Sequence, residues 1–160
     1  MNSINKLAIA IAAAITLAAP LSAQGANAPV SLTGDVKAEK VVTGADGKER
    51  IELVEPTAII PGDRLVFGTD YASNAAEAVS NFVVTNPLPA AVRLAPDADP
   101  ALTVSVDGGK TFGALAALTI TNSDGTTRPA AHADVTHVRW VLASIAPGEK
   151  GRLSYPAIIR

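Results

Sequence analysis

Between Pro61 and Pro89 the chain reads PGDRLVFGTDYASNAAEAVSNFVVTNPLP, and this stretch limits the fold more than any other. From Arg64 to Tyr71, Leu65, Phe67, Thr69 and Tyr71 fall on one face while Arg64, Gly68 and Asp70 fall on the other. That is the period-two pattern of a half-buried strand. Pro61-Gly62-Asp63 combines a fixed φ with a permissive glycine, so a tight turn precedes the strand. Asn81 to Thr85 alternates again, with Phe82 and Val84 opposed to Val83 and Thr85, and its β-branched residues favour extended structure. Pro87 and Pro89 then end the pattern, because proline lacks the N–H a central ladder needs and holds its neighbour extended.

The remaining chain is punctuated in the same way. Val30 to Val42 reads as a weak strand or two, broken at Gly34-Asp35. Asp46-Gly47 is a hairpin turn signal, and Arg50 to Val54 alternates with Ile51 and Leu53 expected inward. Ala58 to Ile60 is a short apolar piece. Ala91 to Leu94 reads as a short strand, Ala95 to Pro100 as an acidic, proline-bounded loop, and Leu102 to Val106 as a strand with Val104 and Val106 on one face. Asp107-Gly108-Gly109 turns the chain toward Thr111-Phe112. Leu115 to Thr121 is apolar with room for a helical turn, and Asn122 to Ala133 reads as a turn-rich loop. Val135 to Leu142 is the clearest late strand, grouping Val138, Trp140 and Leu142. Pro147-Gly148 turns it into Arg152 to Ile159, with Leu153 and Tyr155 together. Short strands separated by Gly, Pro, Asn and Asp predict an antiparallel β-sandwich of about seven to nine strands. Trp140 with Leu65, Phe67 and Phe82 is the expected core nucleus, since each large ring buries on the order of 150–250 Å².

The first residues are different in kind. Lys6 precedes an apolar run from Leu7 to Ala19, followed by Pro20 and the small residues Ser22-Ala23. This has the three regions of a secretory signal peptide and is short for a membrane span. The expected organisation is therefore a signal-peptide helix over residues 1–23 cleaved after Ala23, a flexible leader over 24–29, and one β-sandwich domain over 30–160. Ala26-Asn27-Ala28 offers a competing cleavage site, disfavoured by Pro29. Cleavage after Ala23 removes Lys6 and no acid, making the mature charge one unit more negative than the formal −2 of the chain. Nucleic acid and anionic membrane surfaces are then poor partners. With no cysteine among 160 residues, thiolate zinc, disulfides and lipid attachment through an N-terminal cysteine are excluded. The expected location is the periplasm or the exterior of the cell, with no membrane insertion after cleavage.

Pro61-Gly62-Asp63, the first strand, a polar turn at Ser73-Asn74, the second strand, Val84-Thr85-Asn86-Pro87-Leu88-Pro89 and a late Ile145-Ala146-Pro147-Gly148-Glu149 together resemble the bacterial "domain of unknown function eleven" family, the conserved repeat domain. The resemblance covers roughly Val30 to Arg160. It implies an immunoglobulin-like β-sandwich of the kind found in secreted and surface proteins, often in tandem copies. Here there is one copy. Asn86 stands where the family usually has aspartate, and Ala75 where its turn has glycine. The family supplies no catalytic residues to carry over.

Candidate chemistry is sparse. Ser105 to Phe112 resembles the Asp-box hairpin of sialidase propellers, in which the aspartate bonds the turn backbone, the glycines supply unusual φ and the aromatic plugs the sheet. That motif is structural, and a propeller needs several four-stranded blades. His132 and His137 are the only histidines, with His137 expected to face outward beside Arg139, and no nucleophile elbow accompanies them. Asp97, Asp99 and Asp134 could offer oxygens to Ca²⁺, but no ligand loop is present, and a solvated acidic loop is the simpler reading. Thr57, Thr126 and Thr127 show only turn chemistry. No catalytic, cofactor-binding or metal-binding residue is therefore assigned and no enzyme activity expected. The expectation is an exported structural or protein-interaction module of the cell envelope or surface, contacting envelope or surface proteins or other copies of itself. Gly151 to Arg160, which ends without a polar tail, is the expected edge strand for such a contact. The alternative is a module that binds a small ligand or glycan through Ala95–Pro100 and Asn122–Ala133, against which the low aromatic content, 4%, argues.

Overall fold

Strand alternation and tight turns account for nearly all of the architecture. The computed structural model describes residues 28–160, so the expected signal peptide and most of the expected leader lie outside the described residues. Eleven strands run in the order β1 (Val30–Thr43), β2 (Glu49–Val54), β3 (Arg64–Ser73), β4 (Val79–Pro87), β5 (Val92–Leu94), β6 (Thr103–Ser105), β7 (Gly113–Ala114), β8 (Thr119–Thr121), β9 (Thr127–Pro129), β10 (His137–Ile145) and β11 (Lys150–Ile159). Two 3-10 turns, Leu115–Ala117 and His132–Asp134, are the helical elements described. Sheet A has the order β2-β1-β3-β11-β5 and sheet B the order β4-β10-β6-β7, while β8 and β9 form a separate hairpin. All pairings are antiparallel. The nine strands of sheets A and B match the expected number; of the β8–β9 arm, β9 lies in the stretch that reads in sequence as a loop, and β8 in the apolar stretch before it. Among the described residues no helix is long and apolar enough to cross a membrane.

The two sheets pack face to face over one apolar cluster. Leu65, Tyr155 and Ala157 of sheet A meet Val104 and Val138 of sheet B, with Leu94, Leu102 and Val135 around them. Tyr155, only 1% exposed, stacks on Phe67 with 5.1 Å between ring centroids and leans toward Trp140 at 6.1 Å. Its burial pushes the phenol up to about 12, since desolvation disfavours the phenolate. The large central ring is thus Tyr155, while Trp140 and Phe67 pack partly buried against the cluster. Asn86 donates from β4 to the Thr69 hydroxyl of β3 at 2.8 Å, a polar bridge between the sheets.

Three expectations are corrected. β1 is one continuous strand of 14 residues and does not break at Gly34-Asp35. Asp35 lies opposite Gly68, and the space left by the missing side chain admits the Arg152 guanidinium, which reaches Asp35 at 2.5 Å and Asp70 at 3.0 Å. The Gly-Asp pair serves an ion cluster across three strands, not a turn. Ile51 and Leu53 point outward, 66% and 53% exposed. They share the face of Val41 and Glu39, their partners on β1, whereas the buried Ala38 pairs with Val54 on the other face. Finally, β11 lies between β3 and β5 in the interior of sheet A. Gly151 to Arg160 is therefore not the edge, because eight of its residues pair in register with β3.

Candidate functional site

The acidic loop after β5 is shaped by local hydrogen bonds. Ala98 donates to Ala95 and Leu102 to Asp99, each at 3.0 Å, and the Asp99 carboxylate accepts from Ala101 at 2.8 Å, as short acidic turns commonly do. Arg64 of β3 fastens the loop from below. It makes two hydrogen bonds to Asp97, at 2.9 and 3.0 Å, and a third to Glu39 of β1 at 2.7 Å. The bonds from Arg64 hold the Asp97 carboxyl below its usual range, and those to Asp97 and Glu39 raise the already high value of Arg64.

A second wall comes from the β8–β9 arm. Ala130 donates to Leu118 at 2.9 Å, and Arg128 grips Asp134 through two bonds of 2.6 and 2.7 Å. The Asp134 carboxyl is held at about 2, chiefly by Arg128. This clasp contributes stability fully above the ordinary carboxylate range and loses it as pH falls through that range toward 2. Arg160 joins the two walls, donating to Val92 at 2.8 Å and to Ala133 at 2.7 Å.

Between the walls lies a cleft of about 570 Å³. Leu94, Leu102, Val104 and Leu115 form its apolar lining, and Asp97, Asp99 and His132 supply its polar groups. Its size falls in the range of small-ligand sites. The structure thus brings together Ala95–Pro100 and the Ala130–His132 part of Asn122–Ala133, two segments far apart in sequence. It does not gather the three aspartates weighed for calcium. Asp97 and Asp134 are each bound by a different arginine, and among the described residues no group of three His, Cys, Asp or Glu side chains could hold a metal ion. The apolar lining is invisible to a motif search, although the alternation of Leu102 and Val104 marks two of its members.

The Ser105–Phe112 hairpin forms the expected aspartate hub. Asp107 accepts from Ser105 Oγ at 2.7 Å, from the backbone of Lys110 at 3.0 Å, and from both the backbone and hydroxyl of Thr111. The Thr111 bonds hold its carboxyl far below the ordinary value. Gly108 and Gly109 take φ of 79° and 86°, which their lack of Cβ permits. Phe112 departs from the expected plug. It lies partly exposed with the Arg139 guanidinium 3.4 Å from its ring centroid and the His137 ring edge-on at 6.4 Å. His137 and Arg139 do share that face, and Arg139 also donates to Thr85 at 3.0 Å. Hub and stack together secure the loop over sheet B.

Large exposed apolar residues lie elsewhere, among them Val83 and Val141 on sheet B. Val41, Ile51 and Leu53 form a strip on the outer face of the β1–β2 hairpin, and Ile59 and Ile60 are exposed in the segment that follows β2. Comparison with family models, curated proteins and solved structures finds no match to this chain.

Proposed function

We propose that this chain is an exported, non-catalytic protein-contact module of the bacterial cell envelope or surface, built on an immunoglobulin-like sandwich of the conserved-repeat type. The observation that carries the contact reading is the apolar strip of Val41, Ile51 and Leu53. Contiguous exposed apolar surface is costly in water and marks contact sites. The sheet order supports the immunoglobulin-like reading. β1-β3-β11-β5 opposite β4-β10-β6 has the spatial order of the ABED and CFG sheets of a constant-type domain. The chain visits the last three in reverse, so β6, β10 and β11 stand in the places of G, F and E. The apolar run from Leu7 to Ala19 supports export.

Light crosslinking of intact producing cells, followed by a denaturing gel, tests the reading. A discrete larger band or a regular ladder is expected; monomer alone overturns it. Sequencing the N-terminus of the exported protein checks cleavage after Ala23. The cleft favours a second reading, a module for a small apolar ligand. An environment-sensitive apolar dye that binds the protein, and no longer binds Leu115→Arg, would support it.

A further inference from the structure

The register of β2 determines which of its backbone groups are free. Gly44 donates to the Lys48 carbonyl at 2.8 Å, and the same register continues through Val42 with Arg50, Lys40 with Glu52 and Ala38 with Val54. Closely bonded pairs recur at every second residue of an antiparallel ladder. Arg50, Glu52 and Val54 therefore bond to β1, and Glu49, Ile51 and Leu53 direct their N–H and C=O groups to the open edge. The other side of β1 agrees. Asn74 donates to the Pro29 carbonyl at 2.8 Å, which in the β1–β3 register assigns the odd-numbered residues of β1 to β3 and leaves the even-numbered ones for β2.

A second copy of β2 laid antiparallel on this edge about a two-fold axis must match residues of the same face. Centred on Arg50, the pairing sets Arg50 against Arg50; centred on Glu52, it sets Glu52 against Glu52. Centred on Ile51, it sets Arg50 against Glu52 of the second copy on both sides of the axis. Lys40 already lies opposite Glu52, so charge then alternates across the junction as Lys40, Glu52, Arg50. On the outer face, Val41 and Ile51 meet their copies in an unbroken apolar row. Arg50 is available for this exchange, since its contact with Asp46 is 3.4 Å long and exposed.

The other edges are less suited. Leu88 donates to Thr136 at 2.8 Å, and the β4–β10 register then turns Val79, Asn81, Val83, Thr85 and Pro87 of β4 outward. That row is interrupted by Asn81, with φ of 53°, and by Pro87, which has no N–H. The half of β1 below Ala38 has no strand on its β2 side, but its outward row of Val30, Leu32, Gly34 and Val36 carries no charge to fix a register.

We propose that the chain self-associates edge to edge through β2, two copies joining sheet A into one continuous sheet about a two-fold axis at Ile51. The inference rests on the protein-contact reading and names the contact. Ile51→Pro removes the two central donors of the junction and no hydrogen bond to β1. In sedimentation velocity on the purified protein it should raise the dimer dissociation constant about tenfold or more. Arg50→Glu should also weaken the dimer, and the exchange Arg50→Glu with Glu52→Arg should restore it, a test independent of how the proline variant folds. In a chain without cysteine, Ile51→Cys should oxidise to a disulfide-linked dimer and Val83→Cys should not. A wild-type protein that stays monomeric at about 100 μM, or a dimer indifferent to Ile51→Pro and Arg50→Glu, overturns the inference. If the monomer nevertheless crosslinks in cells to one larger partner, the contact reading stands without self-pairing. If it crosslinks to nothing, both fall.

Discussion

The two long edge strands, β2 and β4, meet the same hazard by different means. β4 is free of charge along all nine residues, and it exposes Val83 beside Val141 on the outer face of sheet B. Its protection is in the backbone: a left-handed residue at Asn81 and a missing donor at Pro87. β2 keeps its outward backbone groups regular, and its protection is in the side chains, since Glu49, Arg50 and Glu52 repel most registers of a second strand. Backbone interruption excludes every partner. Charge patterning excludes most and favours the one register that sets Arg50 against Glu52, which makes an edge selective.

The comparison presumes that both edges hang on one shared core, and its severest test removes the middle of sheet A. Deleting Ser154 to Arg160 takes away most of β11, including Tyr155 and Ala157, and should abolish cooperative thermal unfolding. Tyr155→Ala should cost about 3–5 kcal/mol in urea denaturation, and Trp140→Ala about half as much because that ring is only partly buried. Both should weaken the fold without distinguishing the edges. Asn81→Val should cost about 1–2 kcal/mol, since a β-branched residue resists the left-handed region, while Asn81→Gly should change stability by no more than about 0.5 kcal/mol, because glycine adopts that region without strain. A negligible cost for valine would mean that β4 runs regular and unguarded. Val83→Pro, whose lost N–H faces solvent, should change stability by less than about 1 kcal/mol and leave association unchanged in sedimentation. If it dissociates the dimer, the copies meet through β4 and the contrast is reversed.

Much of this could be read from local pattern. The pairing of Leu65 with Phe67, the grouping of Val138, Trp140 and Leu142, the Asp107 turn and the Pro147-Gly148 turn each depend on neighbours within a few residues. What escaped depends on distant ones. Alternation at Ile51 and Leu53 shows that they share a face, but only the reach of the second sheet decides whether that face is covered. Gly34-Asp35 resembles a turn until Gly68 and Arg152 are brought beside it from far along the chain. The cleft likewise needs Leu94, Val104 and Leu115 from three separate segments, and no one of them carries a signal of binding. The place of β11 is the least legible, because a strand's own sequence does not say which neighbours it will have.

That place has a consequence in time. β11 follows the ten other described strands yet fills the gap between β3 and β5, so a chain made from its N-terminus exposes two unsatisfied ladders until β11 has been made. Contacts of such long sequence separation form late and slowly. While the gap stands open, Tyr155 and Ala157 are missing from the centre of the cluster and the unfinished sheet cannot close its core. Closure of sheet A waits for this one strand, as a zip waits for its slider.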